Sequence, residues 1–308
     1  MKIFQALFLI LCISFCVSNV IQAQSKQGKK KRIAVFLFDD KTDNGRSWWG
    51  QRTVGEGISD MLTTELVKTE EFTVIERSQI DAILKEQDFG ASGAVTPESA
   101  AKIGQILGVE LAVMGAVTEF GYDKRRSNVS VSGVRVGVGK EQANVAIDLR
   151  LVNTSTAEIL SAENIRREKN APSISASTRK ISFGSENEFN QSIVGKAARE
   201  AVEDIVKLIT KNAENIPWSA KIVTAQDGQV FINSGNNDGV KVGDIFVVYR
   251  KGQELIDPDT GLSLGSVDKK VGIIKVTDNS IGEGKASSCV IVEKMGDEFK
   301  RGDVVKEN

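Results

Sequence analysis

The chain contains no histidine, so the commonest metal ligand and the side chain that most readily moves protons near neutral pH are both missing. Cysteine is nearly as scarce: Cys12, Cys16 and Cys289 are the only three. Cys289 stands in the apolar sequence Cys289-Val290-Ile291-Val292 and reads as a small buried hydrophobe. Without a histidine to take its proton it is a poor nucleophile. An excess of either charge is absent too, with 40 Lys+Arg against 41 Asp+Glu. That balance gives no footing for a nucleic-acid partner. No Ser-His-Asp triad can be assembled, and no zinc signature or Walker sequence is present. No catalytic residue, metal or cofactor is expected, and the chain reads as non-enzymatic.

A long hydrophobic run is missing as well. Residues 3–17 carry no charge, but they fall short of the about 20 residues that a membrane-spanning helix needs. Lys2 precedes them and Val20-Ile21-Gln22-Ala23 follows, the pattern of a secretory leader cut after Ala23. Cys12 and Cys16 raise lipid attachment as a competitor. Bulky Leu11 and Phe15 precede them where a lipid-modified cysteine wants a small residue, so an unlipidated start at Gln24 is expected. Cleavage leaves Cys289 alone, so an internal disulfide is excluded and stability must come from packing. Residues 24–31 read as a flexible basic linker. The run Lys29-Lys30-Lys31-Arg32 suits either a solvated linker or contact with anionic lipid or an acidic partner.

What remains is patterned as two domains, residues 32–212 and 220–308, joined by a linker at 213–219. Ile33-Ala34-Val35-Phe36-Leu37-Phe38 suits a buried strand, and Ile58, Met61, Leu62 and Leu66 recur at helical spacing. Phe72-Thr73-Val74-Ile75 is a second strand. Arg77 or Ser78 opens a helix through Ile80, Ile83 and Leu84. Thr96 as cap and Pro97 in the first turn open another, which Gly108 ends before a strand begins at Leu111.

Residues 128–139 then alternate. Val129 and Val131 lie in one phase, and Val134, Val136 and Val138 in the other, a change at Gly133 that suggests a β-bulge. Ala143, Val145, Ile147, Leu149 and Leu151 alternate against Gln142, Asn144, Asp148 and Arg150. Together these stretches predict a long hairpin with one apolar face. The glycines 133, 137 and 139 do not form a phosphate loop, because a strand rather than a helix follows them. Residues 166–192 are polar, and a helix over about 193–211 closes the domain. From Ala220 onward, short strands separated by Gly and Asp turns predict a small β-barrel or sandwich. Asp257, Asp259 and Thr260 fit a hairpin turn better than a calcium loop.

Phe72-Thr73-Val74-Ile75-Glu76-Arg77, Ile103-Gly104 through Leu107-Gly108-Val109, Gly115-Ala116-Val117 and the run Leu149-Arg150-Leu151-Val152-Asn153-Thr154-Ser155-Thr156-Ala157-Glu158-Ile159-Leu160-Ser161 together resemble the CsgG family. That family includes the outer-membrane channel for curli subunits. Asp238-Gly239-Val240-Lys241-Val242-Gly243-Asp244, echoed by Arg301-Gly302-Asp303-Val304-Val305, resembles the small C-terminal β domain of FlgT-type flagellar ring proteins.

The resemblance implies an α/β (α+β) core with inserted β-hairpins, followed by a small all-β barrel-like domain. It implies a ring of identical subunits in the periplasm at the outer membrane, with an exported protein cargo or an envelope-assembly partner and outer-membrane lipid as further contacts. Each subunit of the channel contributes two membrane hairpins. The first corresponds to residues 122–150, with Val129, Val131, Val134, Val136, Val138, Ala143, Val145 and Ile147 as candidate membrane positions. Residues 142–152 span roughly 36 Å, enough to cross an apolar band of about 25 Å when tilted. The second hairpin corresponds to residues 163–190, where Arg166, Arg167, Glu168, Lys169, Arg179, Lys180, Glu186 and Glu188 break any apolar face. The constriction corresponds to the loop holding Trp48 and Trp49, which alternatively pack against a neighbouring subunit or the next helix. A soluble periplasmic scaffold, of the flagellar-ring or peptidoglycan-synthesis type, shares the same core and is the competing expectation. In that reading the hairpin residues pack on the domain's own helices.

Overall fold

The computed structural model describes residues 28–42, 52–86, 96–131, 134–173, 185–258 and 263–308. The leader and both tryptophans of the loop, Trp48 and Trp49, lie outside the described residues.

A mixed sheet organises the first part. Strands β1 (Lys31–Val35) and β3 (Phe72–Ile75) run parallel, β1 also runs parallel to β4 (Leu111–Val131), and β4, β5 (Val134–Asn153) and β6 (Ile159–Ser173) form an antiparallel meander. A short β2 (Asp39–Asp40) also pairs with β4. Helices cover both faces of the sheet. On one side lie α1 (Val54–Lys68) and α5 (Ile193–Ala213), burying Ile58, Leu62, Leu66, Ala198, Val202 and Ile205 against Ile33, Val35, Leu111 and Val113. On the other lie α2 (Arg77–Glu86) and α3 (Pro97–Leu107), burying Ile80, Ala100 and Ile103 against Ala34, Phe36 and Ala112. A short α4 (Glu186–Gln191) leads into α5.

The helix boundaries follow local chemistry. Thr53 and Glu56 form a reciprocal capping box at the start of α1. Thr96 caps α3, Pro97 fills its first turn, and left-handed Gly108 ends it. Gly55 lets α1 lie directly on the segment that joins β1 to β2, since a Cβ there would sit 2.0 Å from the Phe38 carbonyl oxygen.

The β-bulge is real but stands at Thr118, not at Gly133. Pairing steps from Val117↔Ile147 to Glu119↔Ala146, which leaves Thr118 as the extra residue. Its insertion swaps the phase of β4, so Phe120 and Tyr122 stay on the side of Leu111, Val113 and Val117. The change of phase at residue 133 is instead the passage from one strand to the next, because Val131 pairs with Val134. The hairpin arms are therefore residues 111–131 and 134–153, rather than 128–139 and 142–151. The polar stretch from 166 is also corrected: residues 159–173 form a strand that pairs along β5.

The second part is a closed antiparallel barrel. Its strands follow the order β12-β13-β8-β7-β14-β9, where β7 is Ser219–Gln226, β8 Gln229–Ile232, β9 Ile245–Arg250, β12 Lys269–Ser280, β13 Ala286–Lys294 and β14 Val304–Glu307. Closure leaves no free edge among these strands. A two-stranded ribbon, β10 (Glu254–Ile256) with β11 (Ser263–Ser266), interrupts the order between β9 and β12. Trp218, Ile222, Val230, Phe246, Val248, Ile274, Cys289 and Val305 fill the interior. Arg250 clamps Asp303 through two hydrogen bonds, Nε to Oδ1 at 3.0 Å and Nη2 to Oδ2 at 2.8 Å. That bidentate pair fixes the Arg301-Gly302-Asp303 turn.

Candidate functional surface: the long hairpin and the sheet–barrel junction

The β4–β5 hairpin has two halves. In the inner half, Phe120 pairs with Val145 and Tyr122 with Ala143, and this phase faces α5 and α4. Ala143, Val145 and Ile147 are fully buried there, and the Phe120 ring lies 6.4 Å from that of Phe189. These three candidate membrane positions are core residues, which corrects the membrane expectation for them. The stretch 142–152 is not available to cross a bilayer, because α5 already occupies its apolar side.

The outer half is organised differently. Register runs unbroken from Glu119↔Ala146 to Val131↔Val134, with Ser127↔Val138 and Val129↔Val136 between. Residues directly opposite each other in an antiparallel pair share a face. Positions 129, 131, 134, 136 and 138 therefore occupy a single phase of the pleat. It is the phase of Gly121 and Asn144, opposite to the one that faces α5 and α4. The α5-facing phase continues outward through positions 124, 126, 128 and 130 and through 141, 139, 137 and 135, which are Lys, Arg, Asn, Ser, Glu, Gly, Gly and Arg. The apolar side of the hairpin thus changes face along its length. Positions 123–126, Asp-Lys-Arg-Arg, and 140–141, Lys-Glu, mark the crossing. From Asp123 to Val131 the arm extends by roughly 30 Å at about 3.3 Å per residue.

Strand β6 lines only part of this arm, its last pair being Gly139↔Ser173. Its charged residues split by phase. Arg167 pairs with Asp204, and Lys169 with Glu200 at 2.6 Å, both acids lying on α5. On the open face Arg166 bridges Glu119 at 2.6 Å and Glu168 at 3.0 Å, and Asn164 donates to Asp148 at 2.6 Å. Polar side chains in this stretch therefore hold the third strand of the sheet. They do not form a separate hairpin among the described residues.

At the opposite end of the sheet, the start of β1 and the turn before β4 meet the barrel. Glu110, buried at 5% exposure, accepts from the Arg32 N–H at 2.7 Å and from the Ser219 N–H and Oγ at 3.1 Å each. Burial pushes its carboxyl above the ordinary range, although those hydrogen bonds pull the other way. Thr73 Oγ1 donates to Asp238 at 2.6 Å, so β3 is fastened to the barrel too. The sequence reading missed this junction. Its members are single polar residues far apart in the chain, with no spacing to betray them. Cys289 is confirmed as buried, and burial pushes its thiol up to about 12, so it is unreactive.

Residues 16–242 match the family described as "Curli production assembly/transport component CsgG". The candidate lipoprotein NMB1126/NMB1164 of Neisseria meningitidis serogroup B is 27% identical over 195 residues, covering 62% of this chain and 80% of its own length. Among solved structures, the lipoprotein GNA1162 of Neisseria meningitidis is 17% identical, covers 59% of this chain and 99% of its own, and superposes with a TM-score of 0.34. The PelC dodecamer of Paraburkholderia phytofirmans is 11% identical, with 59% and 88% covered and a TM-score of 0.33. The family match spans the whole mixed sheet and runs into the barrel as far as Val242, and on that ground the chain belongs to the CsgG family and has an envelope-associated role.

Proposed function

We propose that the protein is a non-enzymatic assembly or export subunit that forms a homo-oligomeric ring at the inner face of the outer membrane. The observation that carries this reading is the change of apolar face along the β4–β5 hairpin. The inner half spends its apolar phase on the domain's own helices. The outer half has its five valine positions in the other phase, the one that α5 and α4 do not face. In a ring of arms, lipid and the arm of a neighbouring subunit would supply the apolar surface that this phase meets. The non-enzymatic part rests on the sequence, which has no histidine and no catalytic signature. Trp48 and Trp49 stay candidates for the pore-facing loop. An unlipidated mature start at Gln24 is also part of the proposal, resting on Leu11 and Phe15 before the two leader cysteines, and an intact-mass measurement checks it.

One observation favours a second reading, a soluble periplasmic scaffold. Residues 163–173 spend their charges on α5 and on the open face of the sheet, so one arm rather than two projects from the described chain. The two readings separate in one experiment. Envelope protein is extracted in detergent and imaged in negative stain, alongside flotation of the purified protein with vesicles of outer-membrane lipid. Rings with a stain-filled lumen that float with the vesicles support the subunit reading. A monodisperse protein that neither floats nor forms rings overturns it in favour of the scaffold.

A further inference from the structure

The basic run after the leader is not free. Lys29 extends its ammonium into the barrel end, 2.8 Å from Glu307 Oε1 and 3.1 Å from Asp244 Oδ2. The same nitrogen lies 5.2 Å from the Phe246 ring centre and 5.7 Å from that of Trp218. Those two rings lie against each other at 4.9 Å. Two carboxylates and two aromatic rings around one alkylammonium form a cage suited to a side-chain cation. The side chain retains 14% exposure. Burial opposes the charge, but the hydrogen bonds to Glu307 and Asp244 outweigh it and hold the ammonium above its ordinary range.

The backbone on either side of Lys29 is fitted to the same surface. The Lys30 N–H donates to the Asp238 carbonyl at 2.8 Å. Gly239, at φ +82°, lies under the strap, and a Cβ built on it would come within 3.3 Å of the Gly28 carbonyl oxygen. Lys31 then enters β1 and its ammonium donates to the Ala213 carbonyl at 2.5 Å. The sequence Asp238-Gly239-Val240-Lys241-Val242-Gly243-Asp244 thereby acquires a job. Asp238 takes the strap's amide, Gly239 lets the strap pass, and Asp244 takes its ammonium.

We propose that Trp218, Phe246, Asp244 and Glu307 form a lysine-binding site whose ligand is the chain's own Lys29, and that this contact latches the barrel onto the end of the sheet. The latch also sets a polarity. β4 leaves the junction at Leu111 and reaches the arm tip at Val131, a path of roughly 70 Å at about 3.3 Å per residue. The closed latch therefore lies at the end of β4 away from the arm tip.

Hydrogen exchange of the mature full-length protein tests this, read at the Lys30 amide and the neighbouring strap. K29Q keeps most of the side chain's length and removes the charge, whereas K29R keeps the charge. Exchange is expected to rise about tenfold in K29Q and to return towards the wild-type rate in K29R. The D244N/E307Q protein, which strips the cage of its acids, should give the same rise, so the proposal is tested even where K29Q misfolds. Unchanged strap exchange in the charge-removing variants overturns the proposal. Equal loss in K29Q and K29R overturns it as well, because shape alone would then hold the strap.

Discussion

The inner and outer halves of the β4–β5 hairpin are built on the same two strands, in continuous register, and yet they obey different rules. In the inner half the residues facing α5 are apolar, and Ala143, Val145 and Ile147 are wholly out of solvent. In the outer half that phase holds Lys, Arg, Asn, Ser, Glu and Gly, and the valines move to the other one. The apolar alternation of the second pattern lies in the phase that α5 and α4 do not face. The inner half holds residues that make the fold, and the outer half holds those proposed to meet something outside it.

The largest effect expected is at the inner half. Val145→Arg places an unpaired charge among Ile147, Val202 and their neighbours, with destabilisation of about 4 kcal/mol or more. Urea unfolding followed by circular dichroism should show the sheet domain lost or unfolded at far lower denaturant. Next comes the same change in the outer half. Val136→Arg should leave the urea midpoint within error of wild type and remove about 2–4 kcal/mol of membrane affinity in vesicle flotation. Equal unfolding in both variants would erase the distinction between the halves.

The junction sharpens the comparison from the other end of the sheet. Because burial raises the Glu110 carboxyl above its ordinary 4.5, the folded chain holds that proton more tightly than the unfolded chain does. Its contribution to stability is therefore complete below about 4.5 and is lost as pH rises through the folded-state value. Thermal unfolding of wild type against E110Q across mildly acidic to neutral pH should show this falling component in wild type and a flatter profile in the variant. The smallest effect belongs to the β6 ion pairs. Arg167 and Asp204 are substantially exposed, at 42% and 27%, so Asp204→Ala should cost only about 0.5 kcal/mol in the urea midpoint.

Much of this architecture was legible in the sequence. The strand Phe72–Ile75, the Thr96-Pro97 helix start and its Gly108 stop, and the strand beginning at Leu111 announce themselves through local chemistry, and the structure agrees. Local pattern failed where a single residue or a distant partner decides. Thr118 sits within Gly115-Ala116-Val117-Thr118-Glu119-Phe120, where an inserted residue leaves no mark on hydrophobicity. The valine alternation predicts strands on both sides of Gly133, but whether two phases mean a bulge or two paired strands depends on where the chain turns. Lys29 read as linker because nothing near it in sequence is acidic or aromatic. Its partners Asp244, Phe246 and Glu307 are supplied by folding alone.

The central claim is that the outer half of the hairpin presents its valine phase to lipid or to a neighbouring arm. Single cysteines placed in turn at positions 128–131 and 134–138, each carrying an environment-sensitive fluorophore, test it directly on protein mixed with outer-membrane lipid vesicles. Native Cys289 is buried and does not compete for the label. Blue-shifted emission is expected at 129, 131, 134, 136 and 138 and water-like emission at 128, 130, 135 and 137, with the alternation appearing only on vesicles or in the assembled ring. Uniformly water-like emission at all nine positions under both conditions would contradict it.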